Sequence, residues 1–208
     1  MKGEEALKSK DRSEVMPGGG PGSVGRGIDA VDPYVRLARL SVETFVRTGR
    51  PAALPSDTPE ELLQQRAGAF VTLHERGELR GCIGTISATE SSIALEIIRN
   101  GIHACSRDPR FEPVRENELD HISYSVDILG KAEAIQSPDE LDPHRYGVIV
   151  TKGWKRGLLL PNLDGINTVA DQLSIAKRKA GIDPTDTDVQ LERFEVVRHT
   201  RGGQPRGA

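Results

Sequence analysis

Leu79-Arg80-Gly81-Cys82-Ile83-Gly84, preceded by Gly68-Ala69-Phe70-Val71-Thr72-Leu73-His74, is the stretch whose reading decides the fold. Two short runs rich in apolar and β-branched residues flank Glu75-Arg76-Gly77-Glu78, with Gly77 able to supply the positive φ of a tight turn. The pattern predicts a β-hairpin. For Val71, Leu73, Leu79 and Ile83 to share one apolar face, the loop must hold an odd number of residues. The common odd choice is a three-residue loop, Arg76 to Glu78. The opposite face then carries Thr72 and His74 on one strand and Arg80, Cys82 and Gly84 on the other. In that register Thr72 lies across from Cys82, and His74 across from Arg80. A thiol, a guanidinium and an imidazole, beside glycines that let a ligand approach the backbone, make this face the candidate site.

Outward from the hairpin, helical periodicity takes over on both sides. Upstream, Tyr34, Leu37, Ala38, Ser41, Val42, Phe45 and Val46 predict an amphipathic helix from Pro33 to about Thr48, with Asp32 as N-cap. Thr58-Pro59-Glu60-Glu61 has a capping-box pattern and predicts a short helix to about Gln65. Downstream, Ile93, Ile97, Ile98, Ile102 and Cys105 form the stripe of a helix over Ser91 to Cys105, ended by the turn Asp108-Pro109-Arg110-Phe111. Alternation over Glu118 to Ile135 predicts a half-buried strand bent at Gly130. Tyr146 to Leu160 reads as a second hairpin around Lys152-Gly153-Trp154-Lys155-Arg156, with Trp154 expected in the core or at its rim. A helix from Asn167 or Thr168 to Ala180 and a last strand over Val189 to Arg198 complete the pattern. Strands joined by hairpins and long helical connections predict an α+β fold, a mostly antiparallel sheet with helices packed on it.

Composition narrows the function. Residues 1–28 and 201–208 are charged, polar and Gly- or Pro-rich, so they are expected to be disordered tails around one domain at 29–200. Net charge is −3, with basic and acidic residues interleaved, which weighs against nucleic acid as a partner. The histidines His74, His103, His121, His144 and His199 show no metal-ligand spacing, and two cysteines make no CxxC pair. No apolar run is long enough to cross a bilayer and no signal-peptide pattern opens the chain, so a cytoplasmic setting without a membrane is expected. No cofactor and no metal site is assigned.

The run GAFVTL…LRGCIGT, the turn DPRF, then YGVIV, KRGLLLP and KAGI resemble the AMMECR domain, in the bacterial form called protein A of the AmmeMemoRadiSam system. The likeness covers Asp32 to Arg198. It implies an α+β fold with a larger and a smaller subdomain. It also implies association with a Memo-like protein and a radical S-adenosylmethionine enzyme. It supplies no reaction.

The residues themselves suggest a cysteine-centred site. Cys82 is the candidate nucleophile, with Arg80 two residues away favouring the thiolate and His74 as a weaker candidate base. Arg80 and Arg110 are candidates to hold an anionic substrate, and Gly81 and Gly84 to let it approach the backbone. Against these stand plainer roles: Cys82 as a small buried residue, His74 as a solvated one, Arg110 as a brace for its own turn. Three functions stay open. One is an enzyme acting on a small anionic or nucleotide-like substrate; another is a non-catalytic adaptor subunit for the implied partners; the third, an RNA-binding module, is disfavoured by the acidic net charge.

Overall fold

The computed structural model describes residues 32–200 and the short strand 206–207. The chain folds as an α+β domain of two lobes, each built on an antiparallel sheet. The expected tails at 1–28 and 201–208 lie outside the described residues, apart from 206–207.

In the larger lobe, helix α1 (Pro33–Thr48) starts where the Asp32 carboxylate accepts from the Tyr34 and Val35 amides and stops at Gly49, whose φ of 68° lies in the left-handed region that favours glycine. The short helix α2 (Glu60–Gln64) follows, buried through Leu62. The hairpin comes next, as β1 (Ala69–Glu75) and β2 (Glu78–Gly84). Helix α3 (Ile93–Ser106) buries Ile93, Ala94, Ile97 and Ala104 against β1, β2 and α1. Its Gly101 packs against Ser41 of α1, whose hydroxyl donates to the Ile98 carbonyl at 2.6 Å. Strand β3 (Ile122–Leu129) lies on the far side of β1.

The smaller lobe is inserted after β3. It comprises β4 (Glu133–Ile135), the hairpin β5 (Gly147–Lys152) and β6 (Lys155–Leu159), helix α4 (Val169–Ala180) and β7 (Gln190–Phe194). The chain then returns to the larger lobe as β8 (Val196–Thr200), which pairs with β3 and with β9 (Arg206–Gly207). Strand orders are β2-β1-β3-β8-β9 in the larger sheet and β4-β7-β5-β6 in the smaller.

Two expected single strands are thus each divided between the sheets. Glu118 to Ile135 is a 3-10 turn (Glu116–His121), then β3, then β4 in the other sheet. Val189 to Arg198 is β7 in one sheet and β8 in the other. The two crossings meet: the Gly130 amide donates to the Glu195 carbonyl at 2.8 Å. A Cβ on Gly130 would come within 3.1 Å of that same carbonyl, so glycine here serves a close crossing of two chains. Around it Leu129, Ile149, Leu158, Phe194 and Val196 form an apolar cluster that joins the lobes. Trp154 corrects another expectation. It sits at the β5–β6 tip, 90% exposed, because the two-residue turn Gly153-Trp154 points both residues away from either core.

Candidate active site

The hairpin register is partly as expected and instructive where it is not. Thr72 does face Cys82. The loop, however, has two residues, Arg76 and Gly77, both at positive φ, and Glu75 faces Glu78. The odd residue sits in the strand instead: the register shifts between Leu73 and His74, so that His74 faces Leu79, Leu73 faces Gly81, and Arg80 is the extra residue of a bulge. The bulge restores the parity that brings Val71, Leu73 and Ile83 to the helix-covered face, and it reverses Leu79 and Arg80. Leu79, 39% exposed, turns to the polar face beside His74.

Arg80 leaves that face. Its Nε donates to Glu118 Oε1 at 2.7 Å and its Nη2 to Oε2 at 3.3 Å, with the Phe111 ring 5.9 Å from the guanidinium carbon. It stands on the side of Cys105, whose thiol is pushed up to about 11 chiefly by burial and senses Arg80. Gly81 and Gly84 also face protein. A Cβ on Gly81 would lie 2.3 Å from the Ala104 carbonyl oxygen of α3, and one on Gly84 would enter the Phe70 ring. The glycines admit a helix and a cross-strand ring, and Arg80 is spent on a carboxylate.

Cys82 keeps its place on the polar face. Its Sγ accepts from the Thr72 hydroxyl at 3.2 Å. Its backbone lies on the edge strand of the sheet, and the DPRF turn covers that edge as a partner strand would. The Cys82 amide donates to Asp108 Oδ2 at 2.9 Å, while Arg110 Nη2 donates to the Cys82 carbonyl at 3.4 Å. Arg110 also clasps Asp108 through Nε at 2.9 Å and Nη2 at 2.7 Å. These bonds from Arg110, then the Cys82 amide, hold the Asp108 carboxyl down at about 2 against the effect of burial. Arg110 therefore braces its own turn, with about half of its side chain still exposed.

A cleft of about 780 Å³ opens over this face. The sheet supplies its floor: Thr72, His74, Cys82, Ser123, Ser125, Asp127, Arg198 and Thr200. The segment Leu160 to Asp164 of the smaller lobe forms the facing wall. Asp127, 3% exposed, accepts from Arg198 Nε at 2.7 Å and Nη2 at 3.0 Å across β3 and β8. Desolvation holds the Lys179 ammonium below the ordinary lysine value, with Cys82 and Arg110 among the charges it senses. Burial likewise pushes the Cys82 thiol above its ordinary value, with Thr72 and Arg110 pulling the other way and Asp127 and Asp108 adding to the rise. The resting group is a thiol in a polar, half-enclosed setting.

Of the residues singled out in the sequence, Cys82 and His74 share the cleft; Arg110 reaches only the Cys82 backbone. Asp127, Arg198 and Asp108 are additions. Asp127 lay on the polar side of a predicted strand, a usable signal. Arg198 belongs to an element far along the chain, and no local spacing ties it to Cys82.

A family model described as AMMECR1 matches residues 35–199. The chain belongs to the AMMECR1 family. A Thermotoga maritima protein is 53% identical over 168 residues, covering 80% of this chain and 97% of that protein. A Clostridium acetobutylicum protein is 50% identical over 169 residues, 81% of this chain but 36% of that longer protein. The crystal structure of the uncharacterized protein PH0010 from Pyrococcus horikoshii superposes with a TM-score of 0.74 at 32% identity, covering 84% of this chain and 94% of that one. The AMMECR1 domain thus accounts for both lobes. No helix among the described residues is long and apolar enough to cross a membrane.

Proposed function

We propose that this AMMECR1 domain is an enzyme acting on a small anionic or nucleotide-like substrate, bound in the cleft with Cys82 as its nucleophile. The observation that carries the reading is a thiol opening onto a cleft of about 780 Å³ whose walls come from both lobes. Thr72 supports the sulfur by hydrogen bonding, and Arg198 supplies a guanidinium on the cleft floor. Because the resting sulfur is protonated, attack on an electrophilic carbon or phosphorus requires the thiol proton to pass to a base as the new bond to sulfur forms and the substrate's leaving group departs with the bonding electron pair, and His74 is the imidazole on the same face. The setting is taken as cytoplasmic. The test is alkylation by iodoacetamide of folded protein carrying Cys105→Ala. Modification of Cys82 while circular dichroism stays native supports the reading. Modification only after unfolding makes Cys82 a packing residue and sinks it.

A second reading has one observation of its own. Trp154, 90% exposed at a hairpin tip, is the kind of residue that anchors protein interfaces. On this reading the domain is an adaptor for the Memo-like protein and the radical S-adenosylmethionine enzyme that the resemblance implies. Trp154→Ala is then expected to weaken co-purification with those partners by tenfold or more, a loss of about 1.4 kcal/mol or greater, without changing thermal stability. Unchanged co-purification removes the tip from the adaptor account.

A further inference from the structure

The sheet register assembles a feature of the cleft floor that no single strand contains. Cys82 faces Thr72, Thr72 faces Ser125, and Ser125 faces Thr200, across β2, β1, β3 and β8 in turn. Four half-buried side chains ending in SH or OH therefore stand in one transverse row, and all four line the cleft. At ordinary strand spacing the row runs about 14 Å, the length of a nucleotide-sized molecule. Two residues further along, the next row holds Asp127 beside Arg198.

The chemistry of these groups selects a ligand. A hydroxyl both donates and accepts, so a row of them complements ligand hydroxyls, which do the same. A site built only for an anion would present N–H donors and cations instead. The Asp127–Arg198 pair adds an acceptor next to donors, again matched to neighbouring hydroxyls. Arg198 Nη1, which has no hydrogen-bond partner among the described residues, remains for one anionic group.

We infer that the cleft takes a polyhydroxylated, phosphate-bearing molecule of the sugar-phosphate or nucleotide class, its hydroxyls laid along Thr72, Ser125 and Thr200 and its reacting end at Cys82. The inference rests on the proposed cysteine-centred site and names its substrate class. It goes beyond the sequence reading, in which Ser125 and Thr200 had no part.

The test is protection of Cys82 from iodoacetamide in the folded Cys105→Ala protein by ribose 5-phosphate, glucose 6-phosphate and adenosine 5′-monophosphate at millimolar concentration, with inorganic phosphate alongside. At least one sugar-bearing probe is expected to slow alkylation by about fivefold when present at about four times its Kd. Inorganic phosphate is expected to protect far less. Ser125→Ala is expected to raise the protecting concentration about threefold to tenfold, the worth of one hydrogen bond. Full protection by phosphate alone, no protection by any of the three probes, or an unchanged protecting concentration in Ser125→Ala overturns the inference while leaving an accessible thiol in place. Failure of Cys82 to react at all in the folded protein is a different result, and it removes the cysteine-centred reading itself.

Discussion

Cys82 is held from two directions by groups of different kinds. Its sulfur takes a hydrogen bond from Thr72, and its backbone is bracketed by Asp108 and Arg110. The bracket has a measurable signature. Asp108 has its carboxyl held down at about 2, below the ordinary aspartate value of 3.8, by Arg110 first and the Cys82 amide among the rest. A carboxyl depressed in the folded state contributes stability that is complete above about pH 4 and lost as pH falls toward 2. With discount for the solvent-exposed head of Arg110, that contribution is about 1–2 kcal/mol. Asp108→Asn is expected to flatten the acid limb of the stability curve by this amount, read by urea denaturation at a series of pH values; an unaltered limb removes the bracket from the account. Gly81 gives a second prediction at this scale. Its absent Cβ would stand 2.3 Å from the Ala104 carbonyl, backbone that cannot yield cheaply. Gly81→Ala should cost on the order of 3 kcal/mol by denaturant titration, the upper part of the overpacking range. A loss within experimental error would mean that α3 slides freely over β2.

Among the elements, α1 shows how one residue joins distant parts. Asp32 Oδ1 caps the helix through the Tyr34 amide at 2.9 Å, while Oδ2 lies 2.8 Å from Nδ1 of His199 on β8, a ring stacked on Tyr34 at 3.7 Å between centroids. The cap was legible in the sequence, from an Asp ahead of Pro33 and an apolar stripe. The second bond was not, since 167 residues separate its partners. Asp32→Ala should therefore cost more than an ordinary cap, about 2 kcal/mol, and lower Tm by about 5 °C in calorimetry. A change of only a few tenths would show that His199 does not depend on it. The hairpin makes a related point. Apolar alternation demanded an odd residue between Val71 and Ile83, but cannot say where it sits. Positive φ at both Arg76 and Gly77 makes a two-residue turn, which leaves Arg80 to bulge out toward Glu118. That one-residue difference is why Thr72 and Cys82 were paired correctly while Arg80 was given the wrong face.

At the scale of the whole molecule, the α+β class and nearly every helix follow from periodicity, whereas the division into two sheets does not. Glu118 to Ile135 and Val189 to Arg198 each alternate in a way that one continuous strand would satisfy. They part because both chains cross between sheets where Gly130 meets Glu195. The site inherits that blind spot. Its floor was half visible in the hairpin, through Thr72, His74 and Cys82. Arg198 arrives with a strand returned from the smaller lobe, and the segment Leu160 to Asp164 with the connection between β6 and α4. Only the two-lobe arrangement converts a polar sheet face into a cleft.

The central claim is a desolvated but reachable thiol at that cleft, and the pH dependence of Cys82 alkylation in folded Cys105→Ala protein tests it most directly. Cys82 is expected to react without unfolding at a rate that titrates above the ordinary thiol value of about 8.5, because burial outweighs the pull of Thr72 and Arg110. A rate that titrates well below that value, or no reaction before the protein unfolds, would contradict it.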